Sequence, residues 1–323
     1  MRVVFDSRAK GDPRGIGRYV RCLLEALRQT AAQDSVITES HRPRRADVFH
    51  SPWLDGAHVR CPCPMVVTLH DLVNLKRRGE YLRTGVRFRL RYLAVQKADR
   101  VIVPTHVVAA DAQERLDIDS DRIVVIPEAA APPMYPRGPQ EIAAVRARYA
   151  LPERYLLWVG GMTHPEPRKR VAELAQARRR MPLVLAGPTR PWAHELPDVT
   201  LTGQVSDDEL AALYSGAHAL VFPSDDEGFG LPTVEALACG TPVVACDAPA
   251  VREVLGDRAT FVEVGDIEGL LEAAANAVRP APSAPQWSWA DAARATWGVY
   301  AAACTQPETV SRRRVPRLPR GAF

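Results

Sequence analysis

FPSDDEGFGLPTVEALACGTPVVA, residues 222–245, is the stretch that decides the fold. The apolar run HALVFPS at 218–224 reads as a buried strand, and it ends in an acidic, glycine-bearing loop. A proline and a helix follow, Cys239-Gly240 closes the helix, and TPVVAC at 241–246 is a second strand. Strand, loop, helix and strand make one crossover of a parallel sheet. The small residues around Gly228, Phe229 and Gly230 leave backbone N–H groups facing solvent, and a helix N-terminus beside them adds partial positive charge. Such a place holds a phosphate. Glu227 and Glu235 flank the loop-to-helix junction as acceptors for hydroxyl groups such as those of sugars.

The same alternation extends in both directions. Towards the N-terminus, MRVVFD is a strand, SRAKGDPR a loop, and Gly15-Ile16-Gly17 opens a helix whose apolar face is Val20, Leu23, Leu24 and Leu27. That is half of a dinucleotide-type unit, although G-x-G alone also serves simply to pack a helix on a strand. DVFH and MVVTL are further strands ending at His50 and at His70-Asp71, which the rule for parallel sheets places on one rim with Gly15–Gly17. Strands RVIVP and RIVVIP flank a helix at 107–116. The stretch 128–140, rich in Pro and Ala without period, reads as an interdomain linker. Beyond it come a helix EIAAVRARYA, strand YLLWVGG, basic loop MTHPEPRKR, helix VAELAQARRR, strands LVLAGP and VTLTGQ, and a helix capped by Ser206. After the opening stretch lie a helical turn at 251–255, FVEVGD with Asp266 as a cap, and a last helix carrying three tryptophans.

Composition bounds the rest. With 323 residues and 46% apolar content the chain has room for two domains. It lacks the run of about 18 apolar residues that a membrane span needs. The N-terminus is too charged for a secretory signal, and the six cysteines include only a C-x-C pair, so reduced thiols and a cytoplasmic setting are expected. The net charge of +4 is uneven: residues 1–130 carry +6, residues 131–304 carry −6 and the tail carries +4. A basic stripe at Arg83, Arg87 and Arg91 packs as a solvated helix or touches an anionic membrane. No nucleic-acid motif is present.

The residues F-P-S-x-x-E-G-F-G-L-P-x-x-E-A-x-A-x-G-x-P-V, with GIGRYV, DVFHSP, VVTLHDL, VGGMTHPEPRKRV, LVLAGP and SWADAARATWGVY, resemble the retaining glycosyltransferases of family 4. This is the glycogen-synthase-like and bacterial mannosyltransferase-like group. The resemblance covers nearly the whole chain. It implies an α/β architecture of two Rossmann-like doubly wound domains facing across a cleft, the GT-B fold. Residues 1–130 would form the acceptor domain and 131–285 the nucleotide-sugar domain. Residues 286–304 would be a helix crossing back to the first domain, and 305–323 a disordered basic tail.

The resemblance also assigns roles. Glu227 would hold donor-sugar hydroxyls near the reacting carbon. Gly228, Phe229, Gly230 and Leu231 would offer N–H groups to sugar and diphosphate, and Glu235 would accept the ribose hydroxyls. Lys169, with Arg168 beside it, would neutralise the leaving diphosphate, and Gly15 and Gly17 would let the first helix approach it. His70 would contact the donor sugar near the reacting centre, while Gly187 and Val205 would face the base. Catalytic weight thus falls on His70, Glu227 and Lys169. Cationic side chains and helix N-termini can stabilise a leaving diphosphate. Asp225-Asp226 lacks an Asp-x-Asp pattern, so neither a metal nor any other cofactor is expected beyond a donor such as GDP-mannose or a UDP-hexose.

The expected activity is transfer of a hexose, mannose favoured, to a saccharide, lipid-linked or small-molecule acceptor. The diphosphate itself would take the acceptor proton, so no protein base is named. The alternatives are a sugar-nucleotide epimerase on the same fold and a non-catalytic scaffold homologue. Two departures stand out. Gly160-Gly161-Met162 replaces the family's Gly-Arg, which shifts diphosphate binding towards Arg168, Lys169 and Arg170. Glu128-Ala129 replaces the family's Asn-Gly after Ile126-Pro127.

Overall fold

The computed structural model describes residues 1–13, 15–76 and 85–305, the side chains of 74 and 85–89 excepted. The chain divides into two compact units: Met1–Glu128 with Trp287–Phe323, and Ala129–Gln286. Each is built on a six-stranded sheet, and every strand pairing in both sheets is parallel.

In the first unit the strands are β1 (Arg2–Phe5), β2 (Val36–Glu39), β3 (Val48–Ser51), β4 (Met65–Thr68), β5 (Arg100–Val103) and β6 (Ile123–Val125), in spatial order β2-β1-β3-β4-β5-β6. The helices are α1 (Gly15–Gln29), α2 (Val73–Lys76), α3 (Gly85–Gln96) and α4 (His106–Leu116). β3 and β4 are buried along their whole length, as strands covered by helices on both faces must be. The apolar face of α1 buries Val20, Leu23, Leu24 and Leu27, each contributing roughly 1.5–3 kcal/mol by leaving water.

The second unit holds α5 (Pro139–Arg148), β7 (Leu156–Val159), α6 (Val171–Gln176), β8 (Leu183–Ala186), β9 (Val199–Gly203), α7 (Asp207–Gly216), β10 (Ala219–Phe222), α8 (Leu231–Ala238), β11 (Val243–Cys246), α9 (Pro249–Leu255), β12 (Thr260–Val262) and α10 (Ile267–Ala275). Its strand order, β12-β11-β10-β7-β8-β9, is the 3-2-1-4-5-6 order of dinucleotide-binding sheets. The order reverses between β7 and β10, so the loops leaving those two strands meet at the switch point, where ligands bind. α7 begins with a capping box: the Ser206 hydroxyl accepts from the Glu209 N–H, and the Glu209 carboxylate accepts from the Ser206 N–H.

The last helix, α11 (Trp289–Thr305), belongs to the first unit and packs on α1. Trp297 Nε1 donates to the Leu27 carbonyl at 3.3 Å, and Trp289 meets Tyr19 edge to face at 5.6 Å.

Several expectations need correction. β2 adds a strand that the sequence does not announce, because its residues are mostly exposed and carry no apolar run. The helix over VAELAQARRR stops at Gln176, where Arg179 turns back and donates to the carbonyls of Ala175 and Ala177. The boundary between the two units falls in the Pro/Ala-rich stretch 128–140, where Glu128, Ala129, Ala131 and Met134 are buried. Arg83, the Arg87 side chain and residues 306–323 lie outside the described residues, so the basic stripe and tail do too. Arg91, which is described, forms an ion pair with Asp55 at 2.6 Å. All six cysteines are free thiols, with Cys61 and Cys63 sulfurs 3.8 Å apart. Among the described residues, no helix is long and apolar enough to cross a membrane.

Candidate active site

The loop leaving β7 and the loop leaving β10 bring the second unit's charged residues together. Arg168 Nη1 lies 2.8 Å from Glu227 Oε2 and donates to the Asp226 carbonyl at 3.0 Å. The Asp225 N–H donates to the Arg168 carbonyl at 3.0 Å, which ties the loops backbone to backbone. Glu166 completes the cluster, with Oε2 3.2 Å from Arg168 Nη2 and 3.4 Å from Lys169 Nζ. Burial pushes the Glu166 carboxyl up, but the charges of Lys169, Arg168 and His164 outweigh it and hold the pKa below the usual carboxylate value. Arg170 has a left-handed backbone (φ 48°) and reaches Glu173 at 2.7 Å and Asp225 at 3.4 Å. Lys169 also borders a cavity of about 180 Å³ walled by Trp158, Met162 and Trp192.

Between Glu227 and α8 the loop is closed rather than open. Gly228, Phe229 and Gly230 are buried, which corrects the expectation that they face solvent. Gly230 takes φ 89° immediately before Leu231 starts α8. Glu235 lies in the second turn of that helix, only 2% exposed, and its Oε2 accepts from the Tyr214 hydroxyl at 3.3 Å. Gly187 follows β8 with φ 138°, and a Cβ there would meet the Gly160 carbonyl oxygen at 2.0 Å. Val205 is half-buried just before the Ser206 cap.

His70, Gly15 and Gly17 belong to the first unit. Gly17 is buried where a Cβ would stand 1.9 Å from the Asp12 carbonyl oxygen, so this glycine lets the start of α1 rest on its own preceding loop. Gly15, by contrast, is exposed. His70 follows β4 with both ring nitrogens engaged: Nδ1 lies 3.0 Å from Glu128 Oε1 and Nε2 3.0 Å from the Pro52 carbonyl oxygen. Burial, the largest single influence, favours the neutral ring. The hydrogen bond and charge of Glu128, the Pro52 carbonyl and Asp71 together outweigh it and raise the His70 pKa above its usual value.

His50 does not share that rim. It lies inside β3, fully buried, with Nδ1 2.7 Å from the Tyr300 hydroxyl and Nε2 2.9 Å from Thr68 Oγ1. Thr68 in turn meets the Tyr19 hydroxyl at 3.1 Å. Burial, reinforced by the charge of His70, pushes the His50 imidazole down to about 3. Glu166 and Glu128 are the members that sequence reasoning missed. The first was visible as a carboxylate within three residues of Arg168 and Lys169. The second is 58 residues from its partner, with no local pattern to announce it.

The model described as Glycosyltransferase Family 4 matches residues 7–130, and that described as Glycosyl transferases group 1 matches residues 153–279. A D-inositol 3-phosphate glycosyltransferase of Mycolicibacterium smegmatis is 30% identical over 305 residues, covering 82% of this chain and 69% of that protein. The chain belongs to this glycosyltransferase family. The O-antigen chain mannosyltransferase B of Escherichia coli is also similar, at 30% identity over 227 residues and 64% of this chain; the chain spans 58% of that relative's length. Among solved structures, Anabaena HepE in complex with UDP and glucose aligns with a TM-score of 0.64 at 17% identity, over 94% of each chain. Two parallel-sheet α/β units and this likeness give the chain the GT-B fold.

Proposed function

We propose that this chain transfers a hexose, mannose favoured, from a nucleoside-diphosphate sugar to a saccharide, lipid-linked or small-molecule acceptor, with retention of anomeric configuration. The observation that carries the reading is the cluster at the β7/β10 switch point, where Arg168 meets Glu227 at 2.8 Å beside the Gly228–Gly230 loop. Arg168 and Lys169 are held by the carboxylates of Glu166 and Glu227, and an arriving diphosphate exchanges one set of anions for another. Because these cations are already fixed, negative charge building on the leaving diphosphate is met without costly reorganisation. Glu227, released from Arg168, accepts sugar hydroxyls, and Glu235 accepts those of the ribose. As the bond from the sugar carbon to the diphosphate breaks, the acceptor oxygen bonds to that carbon on the same face. Its proton passes to the departing diphosphate oxygen.

No metal and no resident cofactor form part of this scheme. Mannose is favoured because a similar protein of Escherichia coli is a mannosyltransferase by name. The bound UDP and glucose in the HepE structure keep a UDP-hexose in play. A cytoplasmic setting belongs to the same proposal and fits six reduced thiols. Incubation with GDP-mannose, UDP-glucose and UDP-GlcNAc, with and without saccharide acceptors, tests it by release of nucleoside diphosphate. Release from GDP-mannose, unaffected by a chelator, is expected; no release from any of the three overturns the proposal. NMR of the product's anomeric proton reads the stereochemistry.

A further inference from the structure

His70 is surrounded by acceptors. Its Nε2 faces the Pro52 carbonyl oxygen at 3.0 Å, and a carbonyl can only accept, so Nε2 carries a hydrogen whatever the charge of the ring. Its Nδ1 faces Glu128 Oε1 at 3.0 Å, and an ionised carboxylate likewise only accepts. Two acceptors against two ring nitrogens are both satisfied by one form of the ring, the imidazolium. Glu128 is buried and His70 is the cation beside it, so losing the ring proton would leave a buried carboxylate uncompensated.

The other groups around the ring do not alter this count. Asp71 adds negative charge from the next position along the chain. Tyr19, on α1, packs edge to face at 4.5 Å, and burial keeps its phenol neutral. His50, on β3, is neutral, its nitrogens spent on Thr68 and Tyr300. Asp6 acts on His50 and is itself held by Arg8 at 2.7 Å. His70 and His50 are therefore driven apart, one charged and one neutral, the arrangement that separates roles among like groups.

We propose that Glu128 is a positioning residue that locks His70 as a doubly donating imidazolium, so that His70 serves as a fixed cation and not as a proton acceptor. The use of that charge in sugar transfer rests on the function proposed above; the ion pair itself does not. Glu128 also stands where the family resemblance expects Asn, and an amide would leave the ring without a counter-charge. The His70 side chain keeps 17% of its surface exposed, which gives its positive ring edge access to a ligand.

The test uses the full chain labelled with ¹⁵N-histidine. Long-range ¹H–¹⁵N spectra are recorded from pH 5.5 to 9 for the wild type and Glu128→Gln, with His70→Gln to assign the signals. Nucleoside-diphosphate release is measured across the same range. In the wild type both His70 nitrogens should be protonated at pH 7.5. In Glu128→Gln the Nδ1 proton should be lost, leaving Nε2–H on Pro52, with the midpoint lower by at least one pH unit, a tenfold change. The basic limb of turnover should move with it. A neutral His70 in the wild type at pH 7.5, a reading that needs no variant, overturns the proposal, as does an unchanged midpoint in Glu128→Gln. If the midpoint moves and the basic limb stays fixed, the use of the charge in transfer is overturned. If no sugar nucleotide is turned over, the proposed function falls while the ring titration still decides the role of Glu128.

Discussion

Acidification should loosen the first unit through one residue, His50. Its imidazole has an unfolded value near 6.5 and a folded value of about 3. A depressed folded value means that the stabilising contribution is present above pH 6.5 and lost as pH falls towards 3, because the unfolded chain takes up the proton first. At pH 5 the unfolded ring is almost fully protonated and the folded one almost fully neutral. The gap of about 1.5 pH units below 6.5, at roughly 1.36 kcal/mol each, removes about 2 kcal/mol relative to pH 7. His70 works in the opposite sense: its raised value gives stability that is fully present below 6.5 and is lost as pH rises through the folded value. Comparing wild type with His50→Gln cancels the His70 contribution and every other shared one. Native-state amide exchange of β3 and β4, read by mass spectrometry at pH 7 and pH 5, gives the local opening free energies. The wild type should lose about 2 kcal/mol more than the variant between the two pH values. An equal loss in both proteins would refute the assignment of a buried neutral imidazole.

Glu235→Ala should weaken nucleoside-diphosphate binding roughly 10- to 100-fold in calorimetry, since hydrogen bonds to a charged group are worth about 1.5–3 kcal/mol. His70→Ala should lower turnover while binding stays within about threefold. Small, equal effects for the two variants would sink the site assignment. Gly187→Ala forces a methyl group onto the Gly160 carbonyl at a positive φ, so the second unit should lose at least about 3 kcal/mol in chemical denaturation. Ser206→Ala removes the cap of α7 and should cost about 1 kcal/mol in the same measurement.

The parallel architecture was legible because strands covered on both faces leave continuous apolar runs, as HALVFPS and TPVVAC do, with helix signals between them. β2 was not legible, because an edge strand that buries little has no such run. Ser206 and Asp266 announced themselves as caps through local chemistry; the Asp266 side chain accepts from the Gly269 N–H at 2.8 Å. Arg168, Lys169 and Glu227 were legible as ingredients of the candidate site, and the switch between β7 and β10 explains why they meet. His50 was misplaced because Ser51-Pro52 reads as a loop, whereas the strand continues through Ser51. Glu128 stayed hidden because its neighbours, Ala129 and Ala131, are small residues packed into the core. In sequence they look like a spacer, and only the fold carries Glu128 to His70.

α11 also fixes the order in which the protein can be completed during synthesis. The second unit is one continuous segment, Ala129–Gln286. The first requires Tyr300 for the hydrogen bond to His50 and Trp297 for the cover over α1. At roughly 5–20 residues per second, a ribosome takes about 10–35 s to pass from Glu128 to Thr305. Through that interval the segment emerging first waits with His50 Nδ1 lacking its Tyr300 partner and an apolar helix face uncovered by α11. The half made second is finished first, and a chaperone that shields the nascent N-terminal sheet would raise the yield of the whole chain.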